Sequence, residues 1–114
     1  MIIKQTTHGQ VDVIEIIGRL DMMHTVEART ALLDIVDKGA GLLVVDCGGL
    51  DFVDSSGLSV LVTALKRVDS KGGKLVISNL TPHVQSLLSL TRLNEVFLVF
   101  AGTQAAIDYL REKA

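Results

Sequence analysis

Asp51-Phe52-Val53-Asp54-Ser55-Ser56-Gly57-Leu58-Ser59-Val60-Leu61 (DFVDSSGLSVL) decides how the chain folds. A short polar step, Asp-Ser-Ser-Gly, separates two stretches of different period. Downstream, Leu58, Leu61, Val62, Leu65 and Val68 recur at helical spacing, and Gly72-Gly73 closes that segment. Upstream, Leu42-Leu43-Val44-Val45 is a continuous apolar run after Gly39-Ala40-Gly41, which suits a strand buried on both faces. Strand, short loop and helix in that order are the ingredients of a parallel crossover.

The flanks repeat the pattern. Val11 to Ile17 (VDVIEII) is β-branched and partly alternating, and Ile2 to Thr6 can pair with it through a turn at His8-Gly9-Gln10. Leu75-Val76-Ile77 and Val96-Phe97-Leu98-Val99-Phe100 read as further strands. Helical faces occur at Ala28, Leu32, Ile35 and Val36, at Val84, Leu87, Leu88 and Thr91, and at Ala106, Ile107 and Leu110. Thr81-Pro82 has the form of an N-cap followed by proline at the first helical position. The predicted order is ββαβαβαβα, an α/β fold with a mixed, mostly parallel sheet and crossover helices. Asp12 and Glu15 are expected to point outward from a strand near the sheet edge.

Composition narrows the function. The chain has 114 residues, the size of one domain, with 48% apolar and 21% charged residues, enough for a packed core. A net charge of −2 gives no general drive toward nucleic acid. No apolar run approaches the roughly 18 residues that span a bilayer, and MIIKQTTHGQ lacks a signal-peptide pattern, so a cytoplasmic location is expected. Cys47 is alone, excluding an intrachain disulfide, and is expected in or near the core. One cysteine and three dispersed histidines show no metal-ligand spacing, and no cofactor motif is present.

In open α/β sheets, functional loops gather at the carboxyl ends of strands, where the Asp54–Gly57 turn is expected to lie. A helix start offers free N–H groups and a positive dipole end, which suit a cap or a phosphate. One of Asp54, Ser55 and Ser56 should cap the helix, Ser56 being the favoured candidate. Gly57 is a poor residue for a first turn, so its smallness is expected to admit another backbone, a nucleotide or a partner.

Phe52-Val53-Asp54-Ser55-Ser56-Gly57-Leu58 is similar to the signature of STAS-domain proteins, specifically the bacterial anti-sigma factor antagonists. Ile17-Gly18-Arg19-Leu20-Asp21 resembles the family's Gly-x-Leu-Asp turn, and Gly72-Gly73-Lys74-Leu75 its glycine-rich turn before a strand. The resemblance covers essentially the whole chain in order and length, with Ser59 standing where glycine is common. It implies a single STAS domain over residues 1–114 that works by partner switching. The unphosphorylated form would bind an anti-sigma factor serine kinase and so free a sigma factor. Phosphorylation at Ser55, with Ser56 as the alternative acceptor, would switch binding off, and a serine phosphatase would reset it.

The expected interface comprises the Gly18–Thr25 loop with Asp21, Met22 and Met23, the turn with Asp54, Ser56 and Gly57, and Ser59, Thr63 and Lys66 on the next helix. Met22 and Met23 can equally be core at the start of the first helix. Asp21, Asp46 and Asp54 could converge at the strand ends as a recognition surface or a contact for a kinase's Mg-nucleotide, or serve simply as loop turns and caps, the favoured reading. Lys66, Arg67 and Lys71 form a solvated helix face.

No catalytic residue is assigned. A Ser/His/Asp hydrolase would need a base at Ser55 or Ser56, for which only His24 beside Asp21 is a candidate, and no Gly-x-Ser-x-Gly elbow exists. Two other classes remain: a STAS scaffold subunit of a signalling or lipid-transport assembly, and a small-molecule binding domain.

Overall fold

A computed structural model describes residues 1–114. Strands β1 (Ile2–His8) and β2 (Val11–Leu20) form an antiparallel hairpin in which Ile2 faces Ile17 and His8 faces Val11. Its turn needs a left-handed residue, supplied by Gly9 at φ +65°. The chain continues through a short 3-10 turn (Met22–His24), α1 (Thr25–Lys38), β3 (Leu42–Asp46), β4 (Leu50–Val53) and α2 (Ser55–Ser70). It ends with β5 (Lys74–Ser78), α3 (Pro82–Leu90), a 3-10 turn (Leu93–Glu95), β6 (Leu98–Phe100) and α4 (Thr103–Arg111). The strands lie in the order β1-β2-β3-β5-β6, every pair after the hairpin being parallel. The fold is therefore the expected α/β arrangement with a mixed, mostly parallel sheet.

Helices cover both faces unequally. Leu32 and Val36 of α1, Leu61 and Val68 of α2, and Val84 and Leu88 of α3 pack with Ile14, Ile16, Val45 and Ile77. On the opposite face only α4 packs, with Ile107 and Leu110 against Val11, Val13, Val44 and Val76. Burial of each large aliphatic side chain contributes about 1.5–3 kcal/mol, so the first layer carries most of the stabilisation.

Three local expectations are corrected. First, Leu50–Val53 is a strand, not part of a loop. It pairs in parallel with the far half of β2, matching Gly18 with Leu50, Arg19 with Phe52 and Leu20 with Val53, with a shift between Gly18 and Arg19. Second, β6 begins only at Leu98, because Val96 closes the preceding 3-10 turn and Phe97 turns into the core, its N–H donating to Leu93 O. Third, Asp12 is buried, since β2 lies inside the sheet, and its Oδ1 accepts from Gln5 Nε2 at 3.4 Å and Thr7 Oγ1 at 3.1 Å. Cys47 is buried as expected, and burial, aided by the Asp46 charge, pushes its thiol pKa up to about 12. No helix is long and apolar enough to cross a membrane.

Candidate functional site

The register of β2 on β4 builds the site. Leu20 and Val53 are partners at the carboxyl ends of adjacent strands, so the next residues, Asp21 and Asp54, emerge side by side. Each acid then caps the helical turn that begins after it. Asp21 Oδ1 accepts from Met23 N at 3.0 Å, starting the 3-10 turn. Asp54 Oδ1 accepts from Gly57 N at 2.9 Å, starting α2. The N-cap is thus Asp54, and the expectation that Ser56 caps the helix is corrected. A carboxylate suits this position because its second oxygen has a task too: Asp54 Oδ2 accepts from Met22 N at 3.1 Å. Asp54 thereby brackets the start of α2 to the methionine turn.

Of the uses expected for Gly57, the close approach of another backbone is the one realised. Gly57 is buried, and a Cβ there would meet Leu20 O at 2.1 Å. The close approach is that of the chain's own β2 end, so no space at Gly57 is left for a partner or a nucleotide.

Ser55 and Ser56 occupy the first two positions of α2, Ser55 exposed and Ser56 half-buried. Neither hydroxyl bonds another group of the chain, and no histidine reaches them. His24 is engaged by Asp21, with Nδ1 at 2.7 Å from Oδ1. Burial works to raise the Asp21 pKa, but hydrogen bonds from His24, Arg19 and Met23 N–H, with the His24 charge, outweigh it and hold the carboxyl below its usual range. Asp46 does not converge with the other two acids. It accepts from Gly48 N, Asn79 Nδ2 and Thr103 Oγ1 at the α4 side of the sheet.

Met22 and Met23 are 71% and 84% exposed, which decides against a place in the core, and Val26 beside them is 71% exposed. On the other side of the turn, Ser55, Ser59, Thr63 and Lys66 share one wall of a groove of about 380 Å³, whose far side is formed by Thr91 and Leu93. Arg67 and Lys71, expected to be free in solvent, are tied to α1: Arg67 pairs with Asp37 at 2.7 Å, and Lys71 Nζ donates to Val36 O at 2.9 Å.

Two contributors carried no local signal. His83 Nε2 lies 3.2 Å from both Val53 N and Val53 O, so α3 satisfies the side of β4 that no strand covers. Phe52 stacks with the His83 ring at 5.5 Å, and the Arg19 guanidinium sits 4.3 Å from the Phe52 ring centroid. Both depend on strand register and helix placement rather than on neighbours in sequence. Chemically, the site offers an exposed hydroxyl at a helix start, beside two carboxylates and an apolar knob, with no base of its own.

The family model described as Mlab, STAS domain matches residues 3–100. BtrV of Bordetella bronchiseptica, classed by name with anti-sigma factor antagonists, is 35% identical over 89 residues, 78% of this chain and 77% of that protein. The anti-sigma-B factor antagonist of Bacillus subtilis is 27% identical over 95 residues, 83% of this chain and 86% of its own. An anti-sigma factor antagonist structure from Mycobacterium paratuberculosis superposes with a TM-score of 0.88 at 22% identity, covering 96% of this chain and 93% of that one. The phosphorylated form of the Bacillus cell fate determinant SpoIIAA gives 0.74 at 18% identity, covering 95% and 98%.

Proposed function

The chain belongs to the STAS domain family, and on that premise we propose that it is an anti-sigma factor antagonist switched by phosphorylation of Ser55. The observation that carries this is the exposed Ser55 hydroxyl, free of internal bonds, directly after the doubly bonded Asp54 cap. The relatives that bear the antagonist name support it. The unmodified protein binds an anti-sigma factor serine kinase through Asp21, Met22, Met23, the Asp54–Ser56 turn and the Ser59–Thr63 face, and a sigma factor is freed. The chain is a binding module and a substrate, not a catalyst, and works in the cytoplasm, where ATP is available.

In the switching step Ser55 Oγ attacks the ATP γ-phosphorus, ADP leaves, and the hydroxyl proton passes to a base of the kinase. The product carries about −1.5 to −2 charge at pH 7. The α2 N-terminus favours that charge within the domain, whereas Asp54 and Asp21 oppose it and a closing interface would have to desolvate it. Binding is lost while the fold persists. A serine phosphatase removes the phosphate and restores the binding form.

The test is incubation with the serine kinase anti-sigma factor of the same cell and ATP, followed by mass mapping. Phosphate is expected on Ser55. Ser55→Ala should bind the kinase regardless of ATP, and Ser55→Asp should bind poorly. Absence of transfer to both Ser55 and Ser56 would overturn the proposal in favour of an unmodified scaffold subunit.

A further inference from the structure

A polar row crosses the sheet on the face that α4 covers. Lys4 opposes Glu15 in the hairpin, Glu15 aligns with Asp46, Asp46 with Ser78, and Ser78 with Phe100. Strand residues two apart share a face, so this row lies beside Val13, Val44 and Val76, the apolar layer under α4. The helix closes only part of the row. Ser78 is fully buried and Phe100 packs on Tyr109, but no residue of β1 belongs to the apolar layer. Between α4 and β1 the sheet is open as a cleft of about 330 Å³, at the lower end of the roughly 300–1,000 Å³ typical of small-molecule sites. Lys4, Glu15 and Asp46 line it, and Val13 and Ile107 are its apolar residues.

The charges in this cleft are unspent. Lys4 and Glu15 are direct cross-strand partners, which brings their Cβ atoms to about 5 Å, yet they form no ion pair. Gln5, Thr6, Thr7 and His8 of β1 all make side-chain hydrogen bonds, and Lys4 makes none. Glu15 is half-buried, and its carboxylate has no hydrogen-bond partner. On its other side stands Asp46, about 4.8 Å away by strand spacing. The Asp46 oxygens accept only from neutral donors, Gly48 N, Asn79 Nδ2 and Thr103 Oγ1. Two neighbouring carboxylates thus repel each other with no cation bonded to either, and an ammonium at Glu15 would relieve that repulsion.

We propose that this cleft binds a free α-amino acid with an aliphatic side chain. The ligand's ammonium donates to Glu15, Lys4 Nζ donates to its carboxylate, and its side chain lies on Val13 and Ile107. In an α-amino acid both charged groups sit on one carbon, which matches opposite charges on neighbouring strands. A polyamine would meet Lys4, and a simple anion would meet Glu15 and Asp46. The Asp46 network stays closed and adds only its charge. No residue of this cleft belongs to the Ser55 turn or to the groove beside α2, so the site is independent of the antagonist reading.

The test titrates L-leucine, L-isoleucine and L-valine into the protein, by calorimetry and by amide NMR shifts. Two half-ligands run beside them: leucinamide, which keeps only the ammonium, and 4-methylpentanoate, which keeps only the carboxylate. At least one amino acid should bind with a Kd below about 1 mM and shift the amides of Lys4, Glu15 and Ile107. Each half-ligand should bind about tenfold more weakly than leucine. Glu15→Gln and Lys4→Gln should each weaken amino-acid binding about tenfold, and Glu27→Gln on α1 should stay within about twofold. Circular dichroism checks that each variant folds. Absence of saturable binding of all three amino acids up to about 10 mM overturns the proposal. Binding that survives both substitutions also overturns it, as does leucinamide binding as tightly as leucine, which makes the cleft an amine site. None of these outcomes bears on Ser55, whose phosphorylation is read separately by mass mapping.

Discussion

Asp54 and Asp46 sit at equivalent places, each at or just past the carboxyl end of a parallel strand and near the start of a helix, yet they build opposite kinds of site. At Asp46 every neighbouring hydroxyl is engaged: Thr103 Oγ1 donates to Asp46 Oδ2, and the fully buried Ser78 is 2.8 Å from Thr103 Oγ1. That network is closed, and it fastens α4 to the sheet. At Asp54 both oxygens accept from backbone N–H groups, so the cap is complete without any hydroxyl, and Ser55 is left open to an outside reagent. A serine near a capping acid becomes available when backbone donors, rather than the serine, satisfy the acid.

The comparison can be broken most severely at Gly57→Ala, which forces a Cβ against Leu20 O and should cost about 3 kcal/mol by denaturant midpoint. Next, Thr103→Val leaves Asp46 Oδ2 without a donor and Ser78 without an acceptor. It should cost about 2 kcal/mol and leave the rate of Ser55 labelling unchanged. Asp54→Asn keeps one acceptor for Gly57 N but loses the bond from Met22 N. It should cost about 1 kcal/mol, with faster hydrogen exchange confined to the Met22–Met23 turn.

Acid titration gives a smaller and distinct signature at Asp21. Its folded pKa is depressed, so its stabilisation is present above the unfolded value near 3.8 and is lost as pH falls below that. Replacing Asp21 by Asn should remove that part of the acid dependence in pH-resolved unfolding. Ser55→Ala should change stability least, within about 0.5 kcal/mol, because no internal bond is removed.

Most of the architecture was legible because long apolar runs alternate with helical faces, as at Leu42–Val45 and Leu58–Val68. β4 was not, since Leu50-Asp51-Phe52-Val53 is four residues after two glycines and is a strand only through pairing with Gly18–Leu20. Val96-Phe97 has strand composition but no period, and Phe97 is drawn into the core instead. The place of Asp54 and Ser55 at the start of α2 was legible from residue type and position. The choice of cap could not, because it depends on Met22 N arriving from 32 residues away. Gly57 was recognised as anomalous, but what fills its space depends on where β2 ends.

β2 has three strand partners: β1 over Val11–Ile17, β3 over Val11–Glu15 and β4 over Gly18–Leu20. This makes the short linker Cys47-Gly48-Gly49 a spacer of fixed length. One residue more or less there slides Val53 along Leu20 and separates the two acids, although every strand could still form. The β1–β2 turn at Gly9 sets a different register, that of the hairpin, and not the pairing of β2 with β4. Where the serine stands is therefore decided by the length of a stretch that does not touch it.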